Sequence, residues 1–385
     1  MSTGHYTLWG TPHSLYTGKV RSYLIKKQVP YVERMASDPR FQSEVVPAIG
    51  LKVIPVVESP GGELIQDTTS IIDHIEARHG EIDLTPPGAV QQVVSHFIDA
   101  FGSNYLMPAA MHYRWSYRDR QELFLQAEFA RATPAAMPYE QRLATAKGIM
   151  GFFNGFLPNL GVDDQSAPAI EAAYEELLDV LEAHFRPHPY LLGGRPCLAD
   201  FGMMAPLYAH LARDPVPAML MRTRAPNVAR WTERMNTAQI EDDDYADPGG
   251  AFPADDAIPA SLEAVLKVAF AQWGPGLAAD AARFEQWLAG LADPAPGTVV
   301  SQSGNRVVHP HVGPVEYAWR GMTMRRASHV HSLWHLGRAQ AATDALTGDA
   351  AARLTALLDR TGGAELMAKR LSRPIVRANN ALVLG

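Results

Sequence analysis

The sequence predicts a small α/β domain at the N-terminus, followed by a region that is almost entirely helical. Residues 5–9 form an apolar-leaning run that leads through a Gly-Thr-Pro turn into a helical pattern. Residues 53–66 hold two short β-branched runs separated by a four-residue Pro/Gly turn, which indicates a hairpin. From residue 89 onward, apolar residues recur at helical intervals. The first eighty or so residues are too few for a doubly wound domain, but they fit a split βαβ–ββα unit.

The first helix is predicted to begin at Ser14. Serine is a preferred N-cap residue because its hydroxyl accepts a hydrogen bond from a backbone N–H two or three residues later. Apolar and aromatic residues follow at helical spacing, at Tyr16, Val20, Tyr23 and Leu24. The Ser14 hydroxyl would therefore lie at a helix N-terminus, where backbone donors and the positive end of the helix dipole favour an anion.

Pro55 lies inside the first of the two β-branched runs. A proline in such a run marks either an edge strand or a special peptide bond, and we expect a cis bond between Ile54 and Pro55. The alternative is an ordinary proline of an edge strand. After the hairpin, Asp67 and Thr68 provide polar caps for a further amphipathic helix.

Together, these three segments resemble the thioredoxin-fold half of the soluble glutathione transferases. In that family a Ser, Cys or Tyr lies near the start of the first helix, an apolar residue precedes a cis-proline, and an acidic residue or Gln followed by Ser caps the third helix. Ser14 matches the Ser/Cys position, Ile54-Pro55 the apolar–proline step, and Asp67-Thr68 the capping pair. The last match departs from the pattern, because Asp is shorter than Glu and Thr carries an extra methyl group.

The stretch from Tyr190 to Asp200, which reads YLLGGRPCLAD, also resembles this family. In glutathione transferases the corresponding stretch precedes a buried helix, and its Ser/Thr and Asp form a capping box that satisfies two backbone donors at the helix start. Asp200 matches and is interpreted as a structural residue. Cys197 stands where Ser or Thr is usual, and a thiol is the poorer acceptor.

The resemblance implies a thioredoxin-like glutathione-binding domain over 1–82 and an all-helical domain of the glutathione transferase type over 89–238. The remaining 256–385 would form a helical extension that the family's two-domain body does not include. An acidic run at 241–244, followed by the Pro/Gly-rich residues 248–250, predicts a solvated connection to the extension. Helices are predicted near 91–113, 118–132, 139–157, 169–185, 226–236, 259–273, 278–291, 326–346, 349–361 and 363–371.

Composition narrows the function classes. The 385 residues are 47% hydrophobic and 19% charged, as in ordinary globular proteins. The net charge of −7 gives no reason to expect a nucleic-acid partner, which usually requires a basic stripe. The single cysteine, Cys197, allows no intramolecular disulfide and suits a reducing compartment. We expect neither a signal peptide nor a membrane span, and therefore a cytoplasmic protein.

The resemblance implies glutathione as the co-substrate, a hydrophobic electrophile as the acceptor, and a homodimer. Only the thiolate of glutathione is strongly nucleophilic, and Ser14 is the predicted catalytic residue that stabilises it by a hydrogen bond. The backbone of Ile54, next to Pro55, would pair with the extended tripeptide like an added strand. Asp67 and Thr68 would bind the γ-glutamyl group at a helix start. No metal is expected.

Each of these residues also has a structural interpretation, since Ser14, Asp67 and Thr68 could simply cap helices. Trp9 and Tyr16 compete with Ser14 for the donor role, although the spacing of Tyr16 indicates a core position. The alternative function is a non-catalytic glutathione- or ligand-binding protein used for interaction. The departure at residues 67–68 and the long extension both favour it.

Several further assignments stay open. Either Arg40 or Lys52 could meet the glycine carboxylate of glutathione. His331 and His335 are four residues apart, yet no carboxylate or Cys stands at a ligand spacing beside them, which favours packing against aromatic residues over a metal site. The acceptor site is predicted between the first two domains, with walls that could equally be a core stripe: Tyr105, Met107, His112 and Trp115.

Overall fold

The computed structural model describes residues 4–246 and 249–385, so Pro248 of the predicted connection lies outside the described residues. The chain divides into two compact units. The first comprises the chain up to Leu84, Ala109–Leu157 and Met204–Ile240. The second comprises Thr85–Pro108, Pro158–Met203 and Glu241–Gly385. The three predicted domains stay a prediction.

The described residues form helices and short strands in the order that the sequence predicts for most of the chain. The strands are β1 (Tyr6–Gly10), β2 (Tyr31–Met35), β3 (Val56–Glu58), β4 (Leu64–Gln66), β5 (Pro314–Trp319), β6 (Met322–Ala327), β7 (Ile375–Ala378) and β8 (Ala381–Leu384). The helices are α1 (Leu15–Lys26), α2 (Val46–Ile49), α3 (Thr68–Glu76), α4 (Ala89–Asn104), α5 (Met107–Trp115), α6 (Arg118–Ala130), α7 (Tyr139–Asn154), α8 (Ala167–Phe185), α9 (Leu198–Pro206), α10 (Pro215–Arg224), α11 (Pro226–Arg234), α12 (Ala260–Ala289), α13 (Val330–Asp344), α14 (Gly348–Thr361) and α15 (Ala364–Ala368).

The first unit contains the predicted split βαβ–ββα arrangement. Its sheet has the strand order β2-β1-β3-β4, with β1 parallel to β2 and antiparallel to β3, and with β3 antiparallel to β4. Helix α1 connects β1 to β2, and α3 follows β4. Val20, Tyr23 and Leu24 form the buried face of α1, as their spacing predicts. The predicted thioredoxin-like fold is confirmed.

The register of the sheet decides which loops meet. Trp9 of β1 is paired with Val56 of β3, and Val56 is paired with Gln66 of β4. The C-terminal end of β1, the N-terminal end of β3 and the C-terminal end of β4 therefore lie side by side at one edge of the sheet. Residues that follow β1, precede β3 or follow β4 are all brought to this edge.

Trp9 belongs to the core of the first unit. It packs in a buried cluster with Phe41, Val45, Ile49 and Val56. Its indole N–H donates to the carboxylate of Glu58 at 3.2 Å. Trp9 thus holds the sheet against the residues before and within α2.

Proline residues lie at two differences between the predicted and observed helices. The stretch predicted as one helix over 91–113 is divided into α4 and α5, and Pro108 lies in the first turn of α5, where proline is tolerated. Conversely, α12 is one continuous helix although Pro275 lies inside it, whereas the sequence predicts two helices there. None of the helices in the described part of the chain, α12 included, combines the length and apolarity that a bilayer crossing requires.

The extension contains two β-hairpins that the sequence analysis did not predict. Strands β5 and β6 are joined by Arg320 and Gly321, with φ of 47° and 78°. Strands β7 and β8 are joined by Asn379 and Asn380, with φ of 49° and 58°. Positive φ at both central residues is what a two-residue hairpin turn of type I′ requires. Consequently the helix predicted over 326–346 begins later, at Val330 of α13.

Asp256, the first residue of the predicted extension, has a structural role in the second unit. The Asp256 carboxylate accepts hydrogen bonds from the backbone N–H groups of Val90 and Gln91, at 3.0 and 2.9 Å, in the first turn of α4. Arg353 donates to the same carboxylate at 3.2 Å. Asp256 therefore caps α4 from a distant part of the sequence.

Candidate functional site

The three predicted site segments come together at one edge of the sheet. Ser14 follows β1 by four residues, Ile54-Pro55 directly precedes β3, and Asp67 directly follows β4. Because these strand ends are aligned in the register, the three segments are neighbours although the first and the last, Ser14 and Asp67, are 53 residues apart in the sequence.

Ser14 is the N-cap of α1, as predicted. Its backbone is extended, with φ −84° and ψ 128°, and its hydroxyl oxygen accepts a hydrogen bond from the N–H of Thr17 at 3.3 Å. A hydroxyl carries one donor and two acceptor positions, so this bond leaves the O–H hydrogen of Ser14 as a donor. The residue is half-buried at the N-terminus of a twelve-residue helix. The local geometry therefore suits an anionic acceptor.

The peptide bond between Ile54 and Pro55 is cis, as predicted. Pro55 is buried, and the half-buried side chain of Ile54 packs against the Trp9 cluster. The strand pairing of β3 begins at Val56. The backbone of Ile54 thus lies just before the paired part of the strand, at the same edge as Ser14.

Asp67, the N-cap residue of α3, has an unusual backbone conformation, with φ 79° and ψ 136°. A non-glycine residue at positive φ costs about 1–3 kcal/mol, and such residues are concentrated at functional sites. Its carboxylate accepts from the N–H of Thr69 at 2.9 Å, which confirms its capping role. Thr68, the first residue of α3, is buried. Capping and ligand binding remain compatible here, because a carboxylate has four acceptor positions.

Tyr16 interacts electrostatically with Asp67. Burial and the negative charge of Asp67 both raise the pKa of Tyr16, so its phenol stays protonated. The ring is half-buried on the first turn of α1. Tyr16 is therefore an electrostatic neighbour of Asp67, whereas Trp9, the other competitor of Ser14, is a core residue.

The two predicted cations differ in their surroundings. The guanidinium of Arg40 donates to Glu44 at 2.9 Å and to Glu58 at 2.6 Å, and it lies 5.6 Å from the centre of the Trp9 ring. Lys52 is exposed. Arg40 is exposed as well, but its guanidinium is already engaged by two carboxylates.

A buried ion pair contacts the residue before Ser14, and the sequence alone does not predict it. Arg114 of α5 and Asp214, the residue before α10, are both almost completely buried and form a bidentate salt bridge at 2.6 and 2.9 Å. Arg114 also donates to the backbone carbonyl of His13, at 3.1 Å. The only signal in the sequence is a charged residue between Tyr113 and Trp115 in an otherwise apolar helix.

The residues proposed as acceptor walls are buried to different degrees. His112 and Trp115 of α5 are buried, while Tyr105 and Met107 are half-buried. Burial of the first two agrees with a core stripe. The acceptor site itself stays a prediction.

The capping interpretation of Asp200 is confirmed. Its carboxylate accepts from the N–H groups of Leu191 and Cys197, each at 3.0 Å. Ser95 of α4 accepts from the N–H of Ala199 at 3.1 Å. Ser95 thereby supplies the acceptor that the Cys197 thiol supplies poorly. Burial raises the pKa of Cys197, so this residue stays a neutral thiol.

The histidines of the extension pack against aromatic and polar groups. The ring of His335 is stacked on Trp334 at 4.6 Å, and its Nδ1 lies 2.8 Å from the side-chain nitrogen of Asn104. The ring of His331 contacts Trp334 edge-on. Within residues 4–246 and 249–385, no group of three or more His, Cys, Asp or Glu side chains is arranged to hold a metal ion.

Comparisons with known proteins give two family matches. Residues 8–83 match the family described as "Glutathione S-transferase, N-terminal domain", and residues 164–234 match "Glutathione S-transferase, C-terminal domain". No curated protein sequence matches the chain.

The solved structures to which the chain is similar include two glutathione transferases and a beta-etherase. A glutathione S-transferase from Methylobacterium radiotolerans, in complex with glutathione sulfonate, is 20% identical over 66% of this chain and 100% of that chain, with a TM-score of 0.38. A glutathione transferase homologue from Drosophila mojavensis, with bound glutathione, is 18% identical over 60% and 87%, with a TM-score of 0.36. The beta-etherase LigF from Sphingobium is 15% identical over 60% and 94%, with a TM-score of 0.41.

Proposed function

Since this chain is a glutathione S-transferase family protein, we propose that it binds glutathione at the sheet edge formed by Ser14, Ile54-Pro55 and Asp67-Thr68. There it would activate the glutathione thiol for attack on a hydrophobic electrophile. The observation that carries this proposal is the register, which aligns the ends of β1, β3 and β4 and so gathers the three segments. We further propose that the protein acts as a cytoplasmic homodimer in detoxification, as members of this family do.

Ser14 would stabilise the glutathione thiolate. An ordinary thiol has a pKa of about 8.5, and lowering it by ~2 units requires about 2.7 kcal/mol of preferential stabilisation of the anion. A hydrogen bond to a charged group contributes ~1.5–3 kcal/mol, and a helix N-terminus adds ~0.3–1 kcal/mol. The Ser14 hydroxyl at the start of α1 combines both contributions, so these two groups are sufficient in magnitude.

The remaining segments would hold the rest of the tripeptide. The Asp67 carboxylate would accept from the α-amino group of the γ-glutamyl residue. The N–H of Thr68, the first residue of α3, would donate to the neighbouring carboxylate, since the first N–H groups of a helix have no intrahelical acceptor. The backbone of Ile54 would pair with the cysteinyl residue as an added strand does.

The reaction that we propose is a substitution or addition by sulfur. The thiolate forms a carbon–sulfur bond with the electrophile. In a substitution the leaving group departs with the bonding electron pair. In an addition the π electron pair of the attacked double bond moves to the neighbouring atom, which takes up a proton from solvent. The thiol proton is released to solvent when the thiolate forms. Chlorodinitrobenzene, whose leaving group is chloride, is a suitable generic acceptor for the test.

The test compares the wild type with Ser14→Ala and Ser14→Gly. Both variants lack the hydroxyl, but alanine at an N-cap costs about 1 kcal/mol of helix stability, whereas glycine costs only a few tenths. We expect both variants to lose most of the chlorodinitrobenzene turnover, to about 1–10% of the wild-type kcat/KM, although only Ser14→Ala is measurably less stable.

If turnover falls only in the less stable variant Ser14→Ala and stays close to wild type in Ser14→Gly, the catalytic role of the hydroxyl is contradicted. Glutathione binding is measured separately by calorimetry. Wild-type protein that binds glutathione but turns over none of several electrophiles would favour the alternative, a non-catalytic glutathione-binding protein. Wild-type protein that does not bind glutathione would end the proposal.

A further inference from the structure

We infer that Arg114 is a positioning residue for Ser14: locked against Asp214, its guanidinium holds the backbone carbonyl of His13 and so fixes the turn that presents the Ser14 hydroxyl. This inference rests on the proposed function. It concerns residues outside the predicted glutathione site, and all of them lie in the first unit.

The hydrogen bonds of Arg114 use every donor that the guanidinium possesses. An arginine side chain has five N–H donors in a fixed planar fork. Two donate to the Asp214 carboxylate, at 2.6 and 2.9 Å. The other three donate to the carbonyl of His13 at 3.1 Å, to Nε2 of His210 at 2.6 Å and to the carbonyl of Ala209 at 3.1 Å. The guanidinium is therefore fixed in position and orientation by five acceptors.

His210 reinforces this orientation as a neutral acceptor. Arginine cannot accept a hydrogen bond, so Nε2 of His210 must accept from Arg114 and the ring proton must reside on Nδ1. Nδ1 lies 3.2 Å from the carbonyl of Ala110, to which it donates. Burial and the adjacent Arg114 charge hold the pKa of His210 well below its usual range, which agrees with this assignment.

A second arginine holds the residue before His13. Arg213 donates to the backbone carbonyl of Pro12 and also to the carboxylate of Glu128. The N–H of Ser14 donates to the carbonyl of Thr11 at 3.2 Å, which closes the turn. Two consecutive carbonyls of this turn, those of Pro12 and His13, are thus fixed from outside, directly before Ser14.

The His13 side chain fills the space beside the Arg114 guanidinium. Its ring packs on Phe129 with 4.3 Å between the ring centres, and the Arg114 guanidinium lies 5.9 Å from the centre of the same Phe129 ring. Both the backbone and the side chain of His13 therefore depend on the position of Arg114. A shift of Arg114 would therefore move His13 and, with it, the adjacent residue Ser14.

The test replaces Arg114 by lysine. A lysine ammonium keeps the charge, but it offers three donors from one point and cannot form the bidentate pair while also reaching His13 and His210. A misplacement of about 1 Å in an active site costs up to ~100-fold in rate. We expect Arg114→Lys to lower kcat/KM by about 10–100-fold and to move the apparent pKa of bound glutathione upward by about one unit, because Ser14 no longer points at the sulfur.

Arg326→Lys is the matched control. Arg326 also forms a buried bidentate pair, with Asp280, but it lies in the second unit and its other acceptors are not in the Ser14 turn. We expect the melting temperature to fall by a comparable amount in both lysine variants. The thiol pKa of bound glutathione should stay at the wild-type value only in Arg326→Lys. If the loss of rate in Arg114→Lys came only from instability, both variants would show it.

The bound-thiol pKa is read from the pH profile of kcat/KM and from the ultraviolet absorbance of the thiolate. If wild type shows a lowered thiol pKa and Arg114→Lys shows the same pKa and the same rate, the inference fails while the proposed function stands. If wild type shows no lowered thiol pKa, the proposed function fails first.

Arg213→Met is the second variant, for the case in which Arg114→Lys does not fold. It removes the bond to Pro12, while Glu128 keeps Arg131, at 3.3 Å, as a partner. We expect a change in the same direction, with kcat/KM about 3–10-fold lower and a smaller upward shift of the thiol pKa. A wild-type rate and thiol pKa in this variant would also overturn the inference that the turn is positioned by its carbonyls.

Discussion

Two buried arginine–aspartate pairs, one in each unit, are both bidentate and have different surroundings. Arg114 and Asp214 form one pair, and Arg326 and Asp280 form the other, at 2.8 and 2.9 Å. In both pairs the guanidinium is bidentate, and its three remaining donors are also used. The remaining acceptors of Arg326 are the Tyr317 hydroxyl and the carbonyls of Gly276 and Ala327.

The difference between the pairs lies in what those remaining donors hold. Arg326 connects α12, through Gly276, with the end of β6, through Ala327, and Asp280 also accepts from the N–H of His329 just before α13. This pair joins secondary-structure elements of the extension. Arg114 instead holds the turn before Ser14. The contact between arginine and aspartate alone therefore does not reveal the role of the pair. The role follows from the three other acceptors of each guanidinium.

The largest expected effect comes from removing either aspartate. Asp214→Ala leaves the Arg114 charge buried without its counter-ion, which costs ~3–5 kcal/mol of unfolding free energy. Asp280→Ala has the same consequence for Arg326 and also removes an acceptor at the start of α13, worth ~1 kcal/mol more. We expect Asp280→Ala to be the less stable variant in urea unfolding at pH 7.

The same two variants separate stability from function. Only Asp214→Ala should change the thiol pKa of bound glutathione, measured at a temperature where both proteins remain folded. A loss of less than about 1 kcal/mol in both variants would show that neither pair is desolvated as the structure indicates. An altered thiol pKa in Asp280→Ala would remove the distinction between the pairs.

Short-range patterns explain what the sequence predicts well. Ser14 and Asp67 stand at strand–helix junctions, where the cap residue, the helical spacing and the turn all lie within a few residues. That Ser14 and Asp67 lie near each other follows from the strand order, which is implied by the family resemblance. The Arg114–Asp214 pair joins residues one hundred positions apart, and no local pattern in a single sequence links them.

The hairpins of the extension show the opposite case, in which a local signal was present but weak. Asn379-Asn380 is a favourable pair for a turn with two positive φ values, and Arg320-Gly321 carries glycine at its second position. The flanking strands are only four to six residues long, and helical patterns on both sides outweigh them. Short strands between long helices are therefore where periodicity is least informative.

The stability of the protein should also depend on pH, through the neutral histidine beside each arginine. Burial and the nearby arginine hold the pKa of His210 and the pKa of His329 well below the usual range, with Arg114 acting on the first and Arg326 on the second. His13 and Arg213 also lower the pKa of His210, and His309 and His331 that of His329. The unfolded chain therefore binds more protons than the folded chain below pH ~6.5, and stability is lost as the pH falls through this region.

At pH 5, a fully buried histidine of this kind costs about 2 kcal/mol of stability. His210→Gln should remove most of that pH-dependent loss, because glutamine can accept from Arg114 and donate to the carbonyl of Ala110 without titrating. His329→Gln should remove less, because His329 is only partly buried, whereas His210 is buried. Urea unfolding at pH 7 and pH 5 measures both. An unchanged pH dependence in His210→Gln would contradict the neutral tautomer on which the orientation of Arg114 depends.

The smallest effect is expected at an exposed ion pair. This pair shows whether burial, rather than bidentate geometry, makes the loss of a partner from the two buried pairs so costly in stability. Arg360 and Glu263 form a third bidentate pair, at 2.7 and 2.8 Å, but the Arg360 side chain is 48% exposed. Exposed pairs contribute ~0.2–1 kcal/mol, and salt screens them. A double-mutant cycle with Arg360→Ala and Glu263→Ala should therefore give a coupling energy of at most about 1 kcal/mol, and less at 1 M salt. A coupling of 2 kcal/mol or more that resists salt would mean that bidentate contact alone stabilises this protein. In that case the losses in Asp214→Ala and Asp280→Ala could no longer be assigned to buried, uncompensated charge.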